Sequence, residues 1–219
     1  MPIDHDAARL AIARHAAVLF LANGVAGTSG RDIAIAAGVS ERTFWRHSRT
    51  KESCIEPLLL LSAQRFTAYM RRWSRLISIE DHLTESLALD RQSEDNIQDG
   101  VLIARLVAIL PLEPDLQATW LTAYHLAEQG LTEIIAARLD RSPDDFDIRL
   151  CAAAVSAAMR VVDEDISRAA ISHGEIFTLP DVVSRMAESI RAASTLSFCD
   201  PLPPRKTGHA RYKPVQFAP

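Results

Sequence analysis

Between residues 29 and 51 the chain carries Ser29, Arg31, Ser40, Glu41, Arg42, Thr43, Trp45, Arg46, His47 and Lys51, interrupted by Phe44, a ring that belongs in a core. Arg, Lys, Ser and an indole N–H are donors suited to phosphate oxygens, and polar side chains left outward on a short helix suit a DNA backbone and groove. An exposed Trp flanked by Arg and His is an expensive surface unless something binds it. Arg42 fits a guanine edge, whereas Glu41 beside it offers the competing fate of a salt bridge.

Such side chains read DNA only if held on a short, well-seated helix. The segment from Thr28 to His47 divides into one short helix from about Gly30 to Ala37, a turn at Gly38 and a second helix from Ser40, its natural N-cap. Ile33, Ala34, Ala37, Val39 and Phe44 are spaced to meet in one small core, with Ala34 small enough for a close helix crossing. A helix from about Asp4 to Asn23 precedes them, with Ile12, Ala16, Leu19 and Phe20 on one stripe and Gly24 as a left-handed stop. Four of the eight glycines, Gly24, Gly27, Gly30 and Gly38, fall in this region.

As an ordered set, the stretch from Ala17 to Glu52 resembles the TetR family of dimeric transcriptional repressors: Val18-Leu19-Phe20, Gly24, Thr28 to Ala34, Ala37-Gly38-Val39-Ser40, Thr43 to His47 and Lys51-Glu52. The resemblance implies Ser29 and Arg31 near phosphates, Glu41, Arg42 and Thr43 facing bases, and Trp45, His47 and Lys51 on the backbone. Ser40 and Arg46 complete the expected DNA-binding set. Trp45 stands where the family usually has Tyr, and Ser48 where it often has Phe, which removes an apolar anchor between the motif and the next helix. The resemblance also implies a homodimer and a small-molecule effector enclosed by the C-terminal helices, though no pocket residue carries over.

The rest of the chain is Ala-, Leu-, Arg- and Glu-rich with three-to-four-residue periodicity and no alternating strand pattern. The fold class is therefore all-α, about nine helices, with an N-terminal helix-turn-helix domain over 1–53 and a helical regulatory and dimerisation domain over 54–199. Helices are expected near 54–77, 79–91, 97–110, 114–139, 144–172 and 180–196. Pro143 and Pro180 suit first turns, and Asp140, Ser142 and Thr178 are nearby capping groups. From Asp200 the Pro-rich, basic segment lacks an apolar face and reads as a flexible tail over 200–219. Pro57, placed two turns into a helix from about Thr50, predicts a kink between the two domains.

Met70, Trp73, Arg105, Trp120, Tyr124 and Met159 are the large, polarizable or donor groups on otherwise aliphatic helices and form the candidate ligand set. For each of them, core packing or surface snorkelling competes with ligand contact. The Ala-rich run Cys151–Met159, with Val182, Val183, Met186 and Ile190, suits a four-helix dimer interface, unless both helices pack inside one subunit.

The 219 residues carry a formal charge of -4, which on its face argues against nucleic acid. That figure averages unlike parts: residues 1–55 carry 7 basic and 5 acidic groups, residues 56–199 carry 13 and 22, and residues from 200 carry 4 and 1. A basic reading head sits on an acidic body. The expected partners are operator DNA, an effector of small apolar or amphipathic character that releases a repressor, and a second copy of the chain. No cofactor, metal or membrane is expected, and the setting is cytoplasmic. Cys54, Cys151 and Cys199 lie about fifty or more residues apart, too far for a zinc set or a disulfide framework. Cys54, near a helix start, could be an oxidant-sensing thiol or an inert buried one. Asp163-Glu164-Asp165 are consecutive and cannot share a helix face for magnesium, while His82/Glu85 and His125/Glu128 each lack a third ligand. No enzyme signature is present. The competing reading is an all-helical enzyme or carrier without specific DNA binding.

Overall fold

The computed structural model describes residues 5–203. Among them are nine α-helices: α1 (His5–Asn23), α2 (Gly30–Ala36), α3 (Glu41–His47), α4 (Glu56–Met70), α5 (Ile79–Leu87), α6 (Glu94–Ile109), α7 (Pro114–Leu139), α8 (Phe146–Ser172) and α9 (Leu179–Ala193). Most of the expected basic tail, from residue 204 on, lies outside the described residues.

Local chemistry explains most boundaries. Gly24 takes φ +77° after α1 and Gly38 takes φ +66° in the turn after α2, conformations that cost an L side chain energy and cost glycine little. Ser29, Ser40, Ser78, Ser93 and Thr178 each accept a backbone N–H at a helix start, and Ser29 with Asp32 and Thr178 with Asp181 form reciprocal capping boxes. Asp140 closes α7 in the left-handed region at φ 56°. Pro143 lies in the turn ahead of α8 and outside its first turn.

Pro57 corrects an expectation. The chain forms a single 3₁₀ turn at Glu52–Ile55, and α4 begins afresh at Glu56, so Pro57 occupies the first helical turn. There the missing N–H has no intrahelical acceptor to lose, and no kink follows.

Two clusters of buried side chains organise the packing. The first joins Ile12, Ala16 and Phe20 of α1, Ile33 and Ala34 of α2 and Phe44 of α3 to Leu58 of α4, Leu106 of α6 and Leu116 of α7. The helix-turn-helix thus shares a core with the helices behind it. The second joins the far ends of α4 and α7 to α5, α8, α9 and Phe198, with Tyr124 of α7 packed against both clusters.

Arg138 ties the C-terminal segment to this body. Its guanidinium lies 3.5 Å above the Trp73 ring and donates to the carbonyls of Phe198 (2.6 Å), Ser74 (2.9 Å), Asp200 (3.1 Å) and Ile77 (3.2 Å). Burial and neighbouring Arg75 lower its pKa to about 10, which leaves it charged at neutral pH. Residues 200–203 therefore begin docked: Leu202 donates to the Arg75 carbonyl, and Asp200 lies 2.8 Å from Arg191.

Candidate nucleic-acid interface and cavity

Phe44 is wholly buried, and the remaining residues of α3 are left on or near the surface. Glu41, Arg42, Trp45 and Arg46 are exposed, and Thr43 and His47 half-buried. Arg42 and Arg46 enter no ion pair among the described residues. Glu41 meets the indole of Trp45 instead, accepting from Nε1 at 3.4 Å, so the Glu41–Arg42 salt bridge does not form. Trp45 stands edge-on to Phe44, ring centres 4.7 Å apart. Gly30 makes this seat possible: a Cβ there would lie 2.5 Å from Trp45 Cζ2 and 2.8 Å from Phe44 Cε1.

The polar residues around α2 have internal tasks. Ser29 donates its hydroxyl to Asp32 at 2.6 Å and accepts the Asp32 N–H at 3.2 Å, leaving Arg31 exposed in the first turn. Ser40 caps α3 by accepting from Thr43 N–H at 3.1 Å. Lys51 turns inward, donating from Nζ to the carbonyls of Val25 (2.5 Å) and Thr28 (2.9 Å), and thereby clamps the α1–α2 turn beneath the reading helix. Ser48, the C-cap of α3, is buried.

The candidate ligand residues do not come together in one place. Tyr124 and Met159 line a cavity of about 510 Å³ bounded by α4, α6, α7, α8 and α9, whose walls also include Phe66, Ile97, Val101, Ile103 and Leu131. Met70 and Trp73 line a separate 320 Å³ recess between α4 and α7. Trp120 is buried and donates to Glu164 at 3.1 Å, and Arg105 is exposed on α6; neither lines the cavity. The reason is nonlocal: Trp73 packs under Arg138 of α7 and Trp120 turns to Glu164 of α8, partners distant in sequence. Most of the lining was not in the candidate ligand set, including the polar residues Arg65, Asn96, Ser156 and Asp163. Asp163 accepts from the Tyr124 hydroxyl, and burial raises its pKa to about 6 against the pull of that hydrogen bond.

Asp99 stands behind the cavity wall. It is 2% exposed and accepts from Arg14 Nε at 2.7 Å and Nη2 at 2.9 Å, a bidentate pair between α6 and α1. Arg65 of α4 completes the node at 3.1 Å. Burial pushes the Asp99 carboxyl pKa up, but the two guanidiniums outweigh it and hold the group below the ordinary carboxylate value.

The metal and thiol readings find no geometry. His82 Nε2 lies 3.0 Å from the Tyr69 carbonyl and its ring stacks on Trp73. Among the described residues no group of three His, Cys, Asp or Glu could hold a metal ion. Burial pushes the Cys54 thiol up to about 12, the opposite of a reactive thiolate. Asp163, Glu164 and Asp165 face three ways, toward Tyr124, toward Arg160 and Trp120, and toward Arg185. No helix among the described residues is long and apolar enough to cross a membrane.

The two helices of the expected dimer surface differ in exposure. Val183, Met186 and Ile190 of α9 are buried within the subunit, and α9 shows solvent a polar face of Asp181, Ser184, Arg185 and Glu188. On α8, the other helix of the expected surface, Phe146, Leu150, Ala157 and Val161 are exposed, and α7 adds exposed Leu121 and Leu126.

Comparison with known proteins agrees with this two-part geometry. Residues 12–58 match the family model described as bacterial regulatory proteins, tetR family, and residues 82–194 match the MftR C-terminal domain. The chain is 32% identical over 160 residues to the HTH-type transcriptional regulator TcmR of Streptomyces glaucescens, covering 69% of this chain and 70% of that protein. Among solved structures it is similar to Salmonella enterica GusR, with a TM-score of 0.54, 21% identity and coverage of 87% and 98% of the two chains. Thermus thermophilus FadR, a transcriptional repressor solved with lauroyl-CoA, matches with a TM-score of 0.51, 20% identity and coverage of 90% and 100%.

Proposed function

The chain belongs to the TetR family of DNA-binding transcriptional regulators, and from that premise we propose that it is a homodimeric repressor released from its operator by a small apolar or amphipathic molecule in the α4–α6–α7–α8 cavity. Arg42 with Glu41 and Thr43 reads bases, while Arg31, Trp45, Arg46 and His47 meet the backbone. The guanidiniums of Arg42 and Arg46, which enter no ion pair among the described residues, support this assignment, since each offers its donor fork to DNA. Ser29, Ser40 and Lys51 serve mainly to hold the reading helix and its neighbour in register.

The observation that carries ligand release is the Asp99 node. Asn96, Ile97, Gly100 and Val101 of α6 line the cavity, and Asp99 among them holds Arg14 of α1, the helix on which α2 rests. A molecule that shifts α6 or α4 must therefore pull α1 or break a bidentate ion pair. Either moves the reading head relative to its twin, and two heads read successive major grooves only when held about 34 Å apart. The exposed apolar side chains of α7 and α8 support a second copy as the partner that holds that spacing.

The test is transcription in vitro from the promoter upstream of the protein's own gene. Added protein lowers transcript yield from this promoter and not from one with a scrambled operator. Increased yield would overturn repression, and equal effects on both templates would overturn operator-specific action.

A further inference from the structure

Asp163 is a carboxylate in the cavity that no cation among the described residues meets. Arg65, the guanidinium in the same wall, lies 3.1 Å from Asp99, and Arg160, one turn before Asp163 on α8, lies 2.7 Å from Glu164. No Lys, Arg or His forms an ion pair with Asp163 among the described residues; its partner is the neutral hydroxyl of Tyr124. Tyr69 and Gln92, two other polar residues of the lining, already have partners. Tyr69 donates to Gln92 at 3.0 Å, and Gln92 donates to the Ser86 carbonyl at 2.9 Å.

A carboxylate has about four acceptor positions, and the half-buried Asp163 has one neutral donor among the described residues, which leaves the other positions to water or to a ligand. The surroundings say what is missing. The space beside Asp163 is about 510 Å³ and flanked by Phe66, Val101, Leu131 and Met159, room for an apolar body next to one negative point. An anionic head placed there would add like charge to an already desolvated carboxylate. A neutral acceptor would leave it unsatisfied. A cationic N–H donor supplies both the charge and the hydrogen bonds.

We propose that the cavity is a site for amphipathic amines, with the protonated nitrogen donating to Asp163 beside the Tyr124 hydroxyl and the apolar part lying against α4, α6 and α7. This names the class of effector for the site described above and rests on that reading only for its regulatory consequence. Such a cavity discriminates against acids of the same chain length as the amine.

The experiment is isothermal titration of the full chain at pH 7.5 with octylamine, octanol and octanoate below their micellar ranges, repeated on Asp163→Asn. The amine binds at least tenfold more tightly than either the alcohol or the acid, and Asp163→Asn removes that preference while keeping a cooperative melt. Octanoate binding as tightly as octylamine, octanol matching octylamine, no binding by any of the three, or a preference that survives Asp163→Asn would each overturn the assignment. Operator release, followed by fluorescence anisotropy in parallel, separates the two readings. An amine that binds without releasing DNA sinks the inducer role and leaves the amine site standing. An acid that binds and releases DNA does the reverse.

Discussion

Replacing Asp99 with Asn removes one charge and leaves the side-chain volume almost unchanged, so its effects report on the node alone. In the wild type the carboxylate is 3% exposed and serves three short donor contacts from Arg14 and Arg65. Removing one partner of a fully buried pair costs roughly 3–5 kcal/mol, because the other charge is left buried. Here the guanidinium side chains are 36% and 25% exposed, so water recovers part of that loss. The Asn carbonyl also keeps one acceptor, and the discounted cost is about 2–3 kcal/mol. For a domain of this size that lowers the melting temperature by roughly 4–12 °C. Because the folded pKa of Asp99 is depressed, its contribution is present at neutral pH and is lost as pH falls through the carboxylate range. The difference between wild type and Asp99→Asn should therefore shrink in acid. The assay pairs thermal melts at pH 7.5 and 3.5 with operator titrations in the presence and absence of octylamine. Asp99→Asn also reduces the effect of ligand on operator affinity, since the link from α6 to α1 is cut. A variant that melts within 1 °C of wild type, or one that is destabilised yet keeps the full ligand effect on operator binding, would refute this reasoning.

Gly30→Ala places a Cβ 2.5 Å from Trp45 and 2.8 Å from the immovable, buried Phe44. A cost of about 1–3 kcal/mol and greater acrylamide quenching of Trp45 are expected, and unchanged melting and quenching would contradict the seat described for the indole. Arg42→Ala weakens operator binding by about 1–3 kcal/mol and leaves scrambled DNA nearly untouched, whereas Lys51→Ala weakens both alike and lowers the melting temperature; anisotropy titrations and melts distinguish the two. Asp163→Asn raises the stability of the ligand-free protein at pH 7.5 by about 3 kcal/mol, from a pKa displaced by about two units. The sign follows because the folded state binds the proton more tightly, so wild-type stability falls as pH rises from about 4 to about 6. The variant's advantage should vanish in melts near pH 4, and an advantage that persists there would count against an uncompensated carboxylate.

What was legible in the chain follows from how local the cause is. The turn at Gly38, the cap at Ser40 and the inward ring at Phe44 depend on neighbours within a few residues, and each stands where expected. Helix α7 runs over Pro114–Leu139, bounded by a proline and a left-handed cap. Pro57 was misplaced because a 3₁₀ turn and a helix N-terminus share the same residue types, and only the break at Glu56 tells them apart. The inward contacts of Lys51 were not legible because its acceptors, the carbonyls of Val25 and Thr28, lie 26 and 23 residues away in sequence. Trp73 and Trp120 looked like ligand groups but serve Arg138 and Glu164, partners supplied by other helices. Asp163 and Asp99 did carry a signal. Asp163 falls four residues after Met159 and seven after Ser156, and Asp99 falls four before Ile103 and seven before Leu106, so each is a lone acid on an apolar stripe. A charge in that register must find a cation from another helix or face a cavity, and the two residues take one course each.

The central claim, that α3 of this chain reads a specific operator, is tested most directly by anisotropy titration of the full chain at about 150 mM salt against labelled duplex from upstream of its own gene and a scrambled duplex of equal length. The account predicts a preference for the native duplex of about a thousandfold or more, lost selectively in Arg42→Ala. Equal affinity for the two duplexes, falling together as salt is raised, would contradict it.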